Sequence, residues 1–188
     1  PVKWTGDRGE EFAAATQGRG IRSQARLALD ENGKFLALDA AMVADLGAYL
    51  SGASPGASTR AALTAIGGGY LIPTIYTESR GVFTNRFGRG AYRAPGGPQS
   101  AFALESLLDQ LAAELRLDPI ELRRRNVASE GDLRVDGSTW PATGARECLD
   151  ELEKHPLWTE RESLPEGDGV GFALGIWTGS LHAGSAIC

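Results

Sequence analysis

The run Gly90-Ala91-Tyr92-Arg93-Ala94-Pro95-Gly96-Gly97-Pro98-Gln99 constrains this chain more than any other stretch. From Ala94 to Pro98 every residue is small or ring-closed, so almost no side chain separates Arg93 from Gln99. Glycine lets another body approach the backbone closely, and proline fixes φ and removes a donor. Such a loop presents peptide groups, one arginine and one amide, and supplies no nucleophile. An apolar series follows at three- and four-residue intervals: Phe102, Leu104, Leu107, Leu108, Leu111 and Leu115. Asp109, Gln110, Glu114 and Arg116 fall largely off it. The spacing predicts a helix that anchors the loop at its N-terminus, where backbone N–H groups favour anions. Glu105 reads as an acid on a helix face.

Elsewhere the pattern is mixed. Ile21 to Leu29 and Lys34 to Val43 flank Asp30-Glu31-Asn32-Gly33, a β-hairpin signal. Ile21, Ser23, Ala25, Leu27 and Leu29 share one face of the first arm, as a half-buried strand requires. Asp7 to Glu11 enters a turn or helix. Pro55 to Ala65 predicts a short helix ended by Gly67-Gly68-Gly69, and Tyr70 to Ser79 a strand with Pro73 at an edge or bend. Asp118-Pro119 starts another helix, with Asp as cap and Pro in the first turn. Its Arg123-Arg124-Arg125 run reads as a solvated helix end favoured by the dipole, or as a basic surface. Ser129 to Thr143 reads as a surface excursion, Ala145 to His155 as a third amphipathic helix, and Gly167 to Ile187 as strands.

Composition narrows the function classes. A chain of 188 residues with 42% hydrophobic and 23% charged residues suits a globular domain, or two small ones. A net charge of −5 and the lack of a long basic run argue against nucleic acid. No apolar stretch reaches the length of a membrane span. Cys148 and Cys188 make no disulfide framework, and with His155 and His182 they show no zinc-ligand spacing. Neither histidine has a serine or cysteine elbow near it. Gly88-Arg89-Gly90 begins a dinucleotide fingerprint, but Arg93 stands where the third glycine belongs. The chain opens at Pro1 and has one methionine, Met42, so a piece of a longer polypeptide is expected.

Three segments carry a resemblance. Pro1-Val2-Lys3-Trp4-Thr5-Gly6-Asp7-Arg8, the Gly90 to Gln99 loop, and Asp118-Pro119-Ile120-Glu121-Leu122-Arg123-Arg124-Arg125-Asn126 occur in this order. Together they resemble the molybdenum-binding large subunit of the xanthine dehydrogenase and aldehyde oxidase family. The similarity is weakest between Val127 and Gly169. It implies an α+β fold of the molybdenum cofactor-binding type, with mixed β-sheets packed against helices in two layers. Within 1–188 it implies a core at 1–126 carrying the cofactor loop 90–99. An excursion and helix at 127–166 follow, and then the start of further strands at 167–188. It also implies a molybdopterin cofactor, with the cytosine dinucleotide form among the candidates, and iron–sulfur and FAD groups on partner subunits or domains.

In such proteins the metal is held by the pterin's dithiolene sulfurs, so poverty in cysteine and histidine is no objection. The implied reaction is hydroxylation or aldehyde dehydrogenation of a small molecule with oxygen drawn from water, in the cytoplasm, with a periplasmic location left open. Tyr92, Arg93, Ala94, Pro95, Gly96, Gly97 and Gln99 would touch the cofactor, and Arg60 would orient substrate. The catalytic glutamate of the family lies beyond Cys188, so no catalytic residue and no turnover are expected of these 188 residues alone. Pro95 stands where xanthine-oxidising members carry phenylalanine, which disfavours a flat purine. The absence of a nearby cysteine disfavours carbon monoxide, although a carbon monoxide dehydrogenase-like large subunit is an alternative. Further alternatives are a non-catalytic binding or assembly module of the same family and a free-standing phosphate or nucleotide binder.

Overall fold

The computed structural model describes residues 1–50, 52, 56, 59–134 and 137–177. Its centre is a mixed three-stranded sheet in the order β1 (Ile21–Leu29), β2 (Phe35–Gly47) and β3 (Thr74–Phe83). β1 and β2 form the antiparallel hairpin that the alternation predicts. Asp30 Oδ1 closes the turn by accepting from Asn32 N and Lys34 N, each at 2.8 Å, and Gly33 supplies the positive φ of 75°. β2 then pairs with β3 in parallel, which requires a crossover, and the helix α2 (Arg60–Ala65) lies within it. The strand expected from Tyr70 begins only at Thr74. Tyr70 instead bridges Val127, where Leu71 N donates to Asn126 O at 2.8 Å. Of the segment read as helix from Pro55, most residues before Thr59 lie outside the described residues.

The inner face of β1, Ile21 to Leu29, is partly covered, and the facing positions Leu38, Ala40, Met42 and Ala44 of β2 are buried. The register sets Leu27 opposite Leu38 and Ala25 opposite Ala40, so the two inward sets coincide. Against this face pack α2 and the 19-residue helix α3 (Gly97–Leu115), and Leu104, Leu108 and Ala112 fill the core with Ile66, Tyr70 and Ile72. This is the two-layer α+β arrangement.

The buried stripe of α3 departs from the expected one. It runs Gly97, Ser100, Leu104, Leu108, Ala112, with Glu105 beside it. Phe102 is 76% exposed. At 3.6 residues per turn, Phe102 lies about 200° round the helix from Leu104 and so faces away from the core. Leu115 is also exposed, because the helix ends at Arg116 in the left-handed conformation.

Asp118 caps α4 (Pro119–Asn126) as expected, accepting from Ile120 N at 2.8 Å. The arginine run within α4 is neither a solvated end nor a basic surface. Arg123 is fully buried, and Arg124 joins Glu121, Asp150 and Glu153 at 2.6 to 3.0 Å. Arg125 donates to Asn32 O at 2.6 Å. Asn126 is buried, and it donates to Gly33 O and accepts from Phe35 N, both at 2.8 Å, so α4 is tied to the hairpin turn.

α5 (Ala145–Lys154) and α6 (Pro156–Thr159) follow, and Leu149 and Trp158 form a smaller core with Ile120 and Val127. At the other end, Asp7 and Glu10 make a reciprocal capping box on α1 (Arg8–Ala14). Residues 167–177 form no strand, contrary to the sequence reading: this pass pairs with no strand among the described residues, and Leu174 N donates instead to Glu105 Oε2 of α3 at 3.1 Å. The rest of that expected strand region, 178–188 with His182 and Cys188, lies outside the described residues. No described helix is long and apolar enough to cross a membrane.

Candidate functional site

The Gly90 to Gln99 loop enters α3 through an abrupt turn. Gly96 has φ of 79°, and a Cβ there would run into the backbone of Ala61 and Ala62 in α2. Gly97 is buried as well, and a Cβ on it would meet the ring of Trp177 at 3.3 Å. Both glycines therefore serve packing within the domain, whereas the sequence suggested a bare face toward a ligand. The upstream half of the loop is different. Ala91, Tyr92 and Arg93 are exposed, and Ala94 and Pro95 are half-buried. Among the described residues, no hydrogen bond reaches the N–H of Tyr92, Arg93 or Ala94, nor the guanidinium of Arg93. Ala94 holds φ of 55°, a region that a non-glycine residue enters at a cost. Among the described residues, no side chain caps the N-terminus of α3.

A second strand of chain lies behind the loop, and sequence reasoning overlooked it. In Gly18-Arg19-Gly20 the arginine has φ of 72°. Its Nη1 donates to Ala94 O at 3.1 Å and to Gln99 Oε1 at 3.2 Å, and its Nη2 donates to Arg93 O at 2.5 Å. The guanidinium also lies 4.9 Å from the Tyr92 ring centroid. Gly90 N donates to Gln17 O at 3.1 Å, and a Cβ on Gly18 would stand 2.9 Å from the Tyr92 Cβ. An arginine bracketed by two glycines was the signal available in the sequence.

Beside this junction lies an open hollow of about 370 Å³, lined by Arg19, Ile21, Ser23, Pro98, Gln99 and Phe102. That volume lies within the range of small-molecule sites. Tyr92, Ala94, Pro95 and Gln99 are thus gathered with Arg19 at the N-terminus of α3. Arg60 is exposed at the first turn of α2, the helix against which Gly96 packs. A separate hollow of about 440 Å³ lies between Ile66, Tyr70, Ile75 and Trp140, away from the loop.

Two ionic clusters hold the frame. Asp45 on β2 accepts from Thr84 Oγ1 at 2.6 Å, Gly47 N at 2.8 Å and Arg89 Nη2 at 2.8 Å. Burial raises its pKa, but these hydrogen bonds and the Arg89 charge outweigh burial and bring it down to about 2. Its own N–H donates to Gly20 O at 2.8 Å, so the same residue anchors the Gly18 to Gly20 strap.

The second cluster is built on Glu105, which is 4% exposed and not the helix-face acid expected. It accepts from Tyr70 OH at 2.7 Å, Arg123 Nε at 2.8 Å and Leu174 N at 3.1 Å. Burial lowers the Arg123 pKa, but the charge of Glu105 overcomes this and raises it. Burial, and then the Glu105 charge, push the Tyr70 hydroxyl above the ordinary tyrosine value.

Three comparisons bear on this geometry. The family described as "Molybdopterin cofactor-binding domain" matches residues 1–127. A probable xanthine dehydrogenase subunit of Bacillus subtilis (strain 168) is 35% identical over 187 residues, covering 98% of this chain and 25% of that protein. The gamma subunit of the 6-hydroxypseudooxynicotine dehydrogenase complex of Paenarthrobacter nicotinovorans is 38% identical over 135 residues, 71% of this chain and 17% of that subunit. Among solved structures, quinoline 2-oxidoreductase from Pseudomonas putida 86 superposes with a TM-score of 0.74 at 34% identity, covering 80% of this chain and 20% of that one. The chain thus spans a quarter or less of the length of these curated relatives.

Proposed function

The chain belongs to the molybdopterin cofactor-binding domain family, and on that premise we propose that it forms one wall of the cofactor and substrate pocket in a molybdenum-dependent hydroxylase or aldehyde dehydrogenase. The observation that carries the reading is the set of amides of Tyr92, Arg93 and Ala94, unpartnered among the described residues and lying beside the N-terminus of α3. Backbone N–H groups, an arginine fork and a helix N-terminus suit an anionic, oxygen-rich group. Tyr92, Arg93, Ala94, Pro95 and Gln99 would lie against the pterin and the metal's ligands. Gly96 and Gly97 would hold the turn that presents them, and Arg60 would meet substrate from α2. The bound cofactor supplies the redox chemistry, and these residues bind and orient it.

The name of one relative identifies it as a subunit of a complex, which supports the extension to partners. Those partners would be subunits or domains bearing iron–sulfur and flavin groups, and the cytosine dinucleotide is the proposed pterin form. The names of these relatives point to xanthine, an oxynicotine and quinoline, so a small nitrogen-bearing ring or an aldehyde is the proposed substrate class.

The test is Arg93→Ala in the full-length protein, with molybdenum content, turnover and unfolding midpoint measured together. The expected result is a loss of cofactor occupancy or of turnover of tenfold or more at an unchanged midpoint. Unchanged metal content with unchanged kinetics sinks the reading.

A further inference from the structure

We propose that Arg19 is a positioning residue for the cofactor loop: it draws the Arg93 and Ala94 carbonyls to the rear and thereby turns the Ala94 N–H to the front. The inference rests on the assignment of that loop to the cofactor, and it goes further by naming what sets the loop's polarity. In a trans peptide the C=O and the N–H of one plane point in opposite directions. Arg19 Nη2 holds Arg93 O at 2.5 Å, so the N–H of the same peptide, that of Ala94, is directed away from the guanidinium. The neighbouring carbonyl, Ala94 O, is held from the same side at 3.1 Å and also accepts from Gly97 N at 3.1 Å. The following residue is Pro95, which has no N–H to turn. The Arg93 and Ala94 carbonyls therefore lie behind and the Ala94 N–H in front, the arrangement an anionic ligand needs.

The backbone of Arg19 itself supports the argument. Its φ of 72° is one that glycine takes freely and arginine does not, and glycines stand on both sides of it. A side chain at a strained position persists where the surroundings over-determine it, and such positions cluster at ligand clamps. The surroundings here are specific. Gly20 O is fixed by Asp45 N at 2.8 Å and Gln17 O by Gly90 N at 3.1 Å, so the strap is pinned on both sides of the arginine. Gln99 Oε1, the first side chain of α3 with a polar end, takes the remaining Nη1 contact at 3.2 Å.

Arg19→Gly separates the two roles the residue can have, because it removes the guanidinium while relieving the backbone. Arg19→Lys keeps the charge but not the fork. Both are made in the full-length protein, with molybdenum content, hydrogen exchange at the Gly97 amide and unfolding midpoint as readouts. The expected result for Arg19→Gly is a tenfold or greater loss of molybdenum content and faster exchange at Gly97, with the midpoint and the exchange of the β1–β2 amides unchanged. Arg19→Lys is expected to restore part of both losses. Retained metal content in Arg19→Gly overturns the proposal, whatever happens at Gly97. A collapse of the midpoint overturns it too, since Arg19 would then be a structural residue. Failure of the cofactor assignment is distinguishable: Arg93→Ala would then leave both metal content and turnover intact, whereas failure of the brace alone leaves the Arg93→Ala loss in place.

Discussion

At its first turn α3 borders peptide groups without partners, while two turns further along it carries a cluster with its ionic atoms engaged. The amides of Tyr92, Arg93 and Ala94 are unpartnered among the described residues, and Ala94 and Gly96 both hold positive φ. At Glu105 both carboxylate oxygens accept hydrogen bonds, and all three nitrogens of Arg123 donate, to Glu105, to Pro119 O and to Asp109. The contrast teaches where a strained, unsatisfied loop finds its stability. Backbone strain persists when the surrounding structure over-determines it. Here that structure is a helix locked to α4 through Arg123 and to the 167–177 pass through Leu174. The same pass carries Phe172, whose ring lies 4.7 Å from the Arg123 guanidinium, and Trp177, which rests on Gly97 at the mouth of the loop.

Breaking the lock is expected to have the largest effect. Arg123→Met leaves the Glu105 carboxylate buried with only Tyr70 and Leu174 as donors. Removing one partner of a buried pair costs about 3–5 kcal/mol. Denaturant unfolding of the protein checks it. A cost below about 1 kcal/mol would show that the two regions of α3 differ less than the geometry implies.

Leu108→Ala tests the same helix through packing instead of charge. Leu108 is 0% exposed, so its truncation opens a cavity beneath the sheet and is expected to cost about 2–5 kcal/mol. Because Leu108 lies about a turn from Glu105, a double substitution with Arg123→Met is expected to depart from additivity.

The hairpin and the capped helices were legible because each has a local rule. Ile21 to Leu29 alternates, Asp30 to Gly33 supplies a turn, and Asp118-Pro119 supplies a cap and a first-turn proline. The loop was legible from composition as a stretch nearly bare of side chains, but the division of labour inside it was not. That Gly96 and Gly97 face inward depends on α2, more than thirty residues earlier in the chain, and on Trp177. Arg19 escaped notice for the same reason, since its partners lie 74 to 80 residues away. Glu105 and Arg123 were misjudged because a charged residue is rarely buried unless paired, and the pair is separated by 18 residues. Local pattern finds elements, while long-range polar pairing decides which charges go inside.

Acid titration addresses the other anchor of the loop, Asp45. Its folded-state pKa of about 2 lies below the ordinary value of 3.8, so the carboxylate contributes stability that is complete above about pH 4. That contribution falls as pH drops through the folded value, amounting to about 2 kcal/mol by pH 2 at about 1.4 kcal/mol per unit. Asp45→Asn is expected to be less stable at pH 7 and to lose this part of the pH dependence between pH 4 and 2. A wild-type and variant difference that stays constant over that window contradicts the assignment.

The smallest effect is expected at Phe102, and it sharpens the comparison most directly. Phe102 sits on α3 between the open end and the lock, and by size it is the residue that a hydrophobicity argument would bury first. It is 76% exposed and lines the hollow beside Arg19 and Gln99. Phe102→Ala is therefore expected to change stability by less than about 0.5 kcal/mol, as surface substitutions do, against several for Leu108→Ala. Unfolding of the two variants side by side reads the difference. If Phe102→Ala cost as much as Leu108→Ala, the buried stripe of α3 would have to be redrawn through residue 102. The loop would then be tethered by packing at the first two turns of the helix, and Arg19 and the Glu105 cluster would no longer be its principal supports.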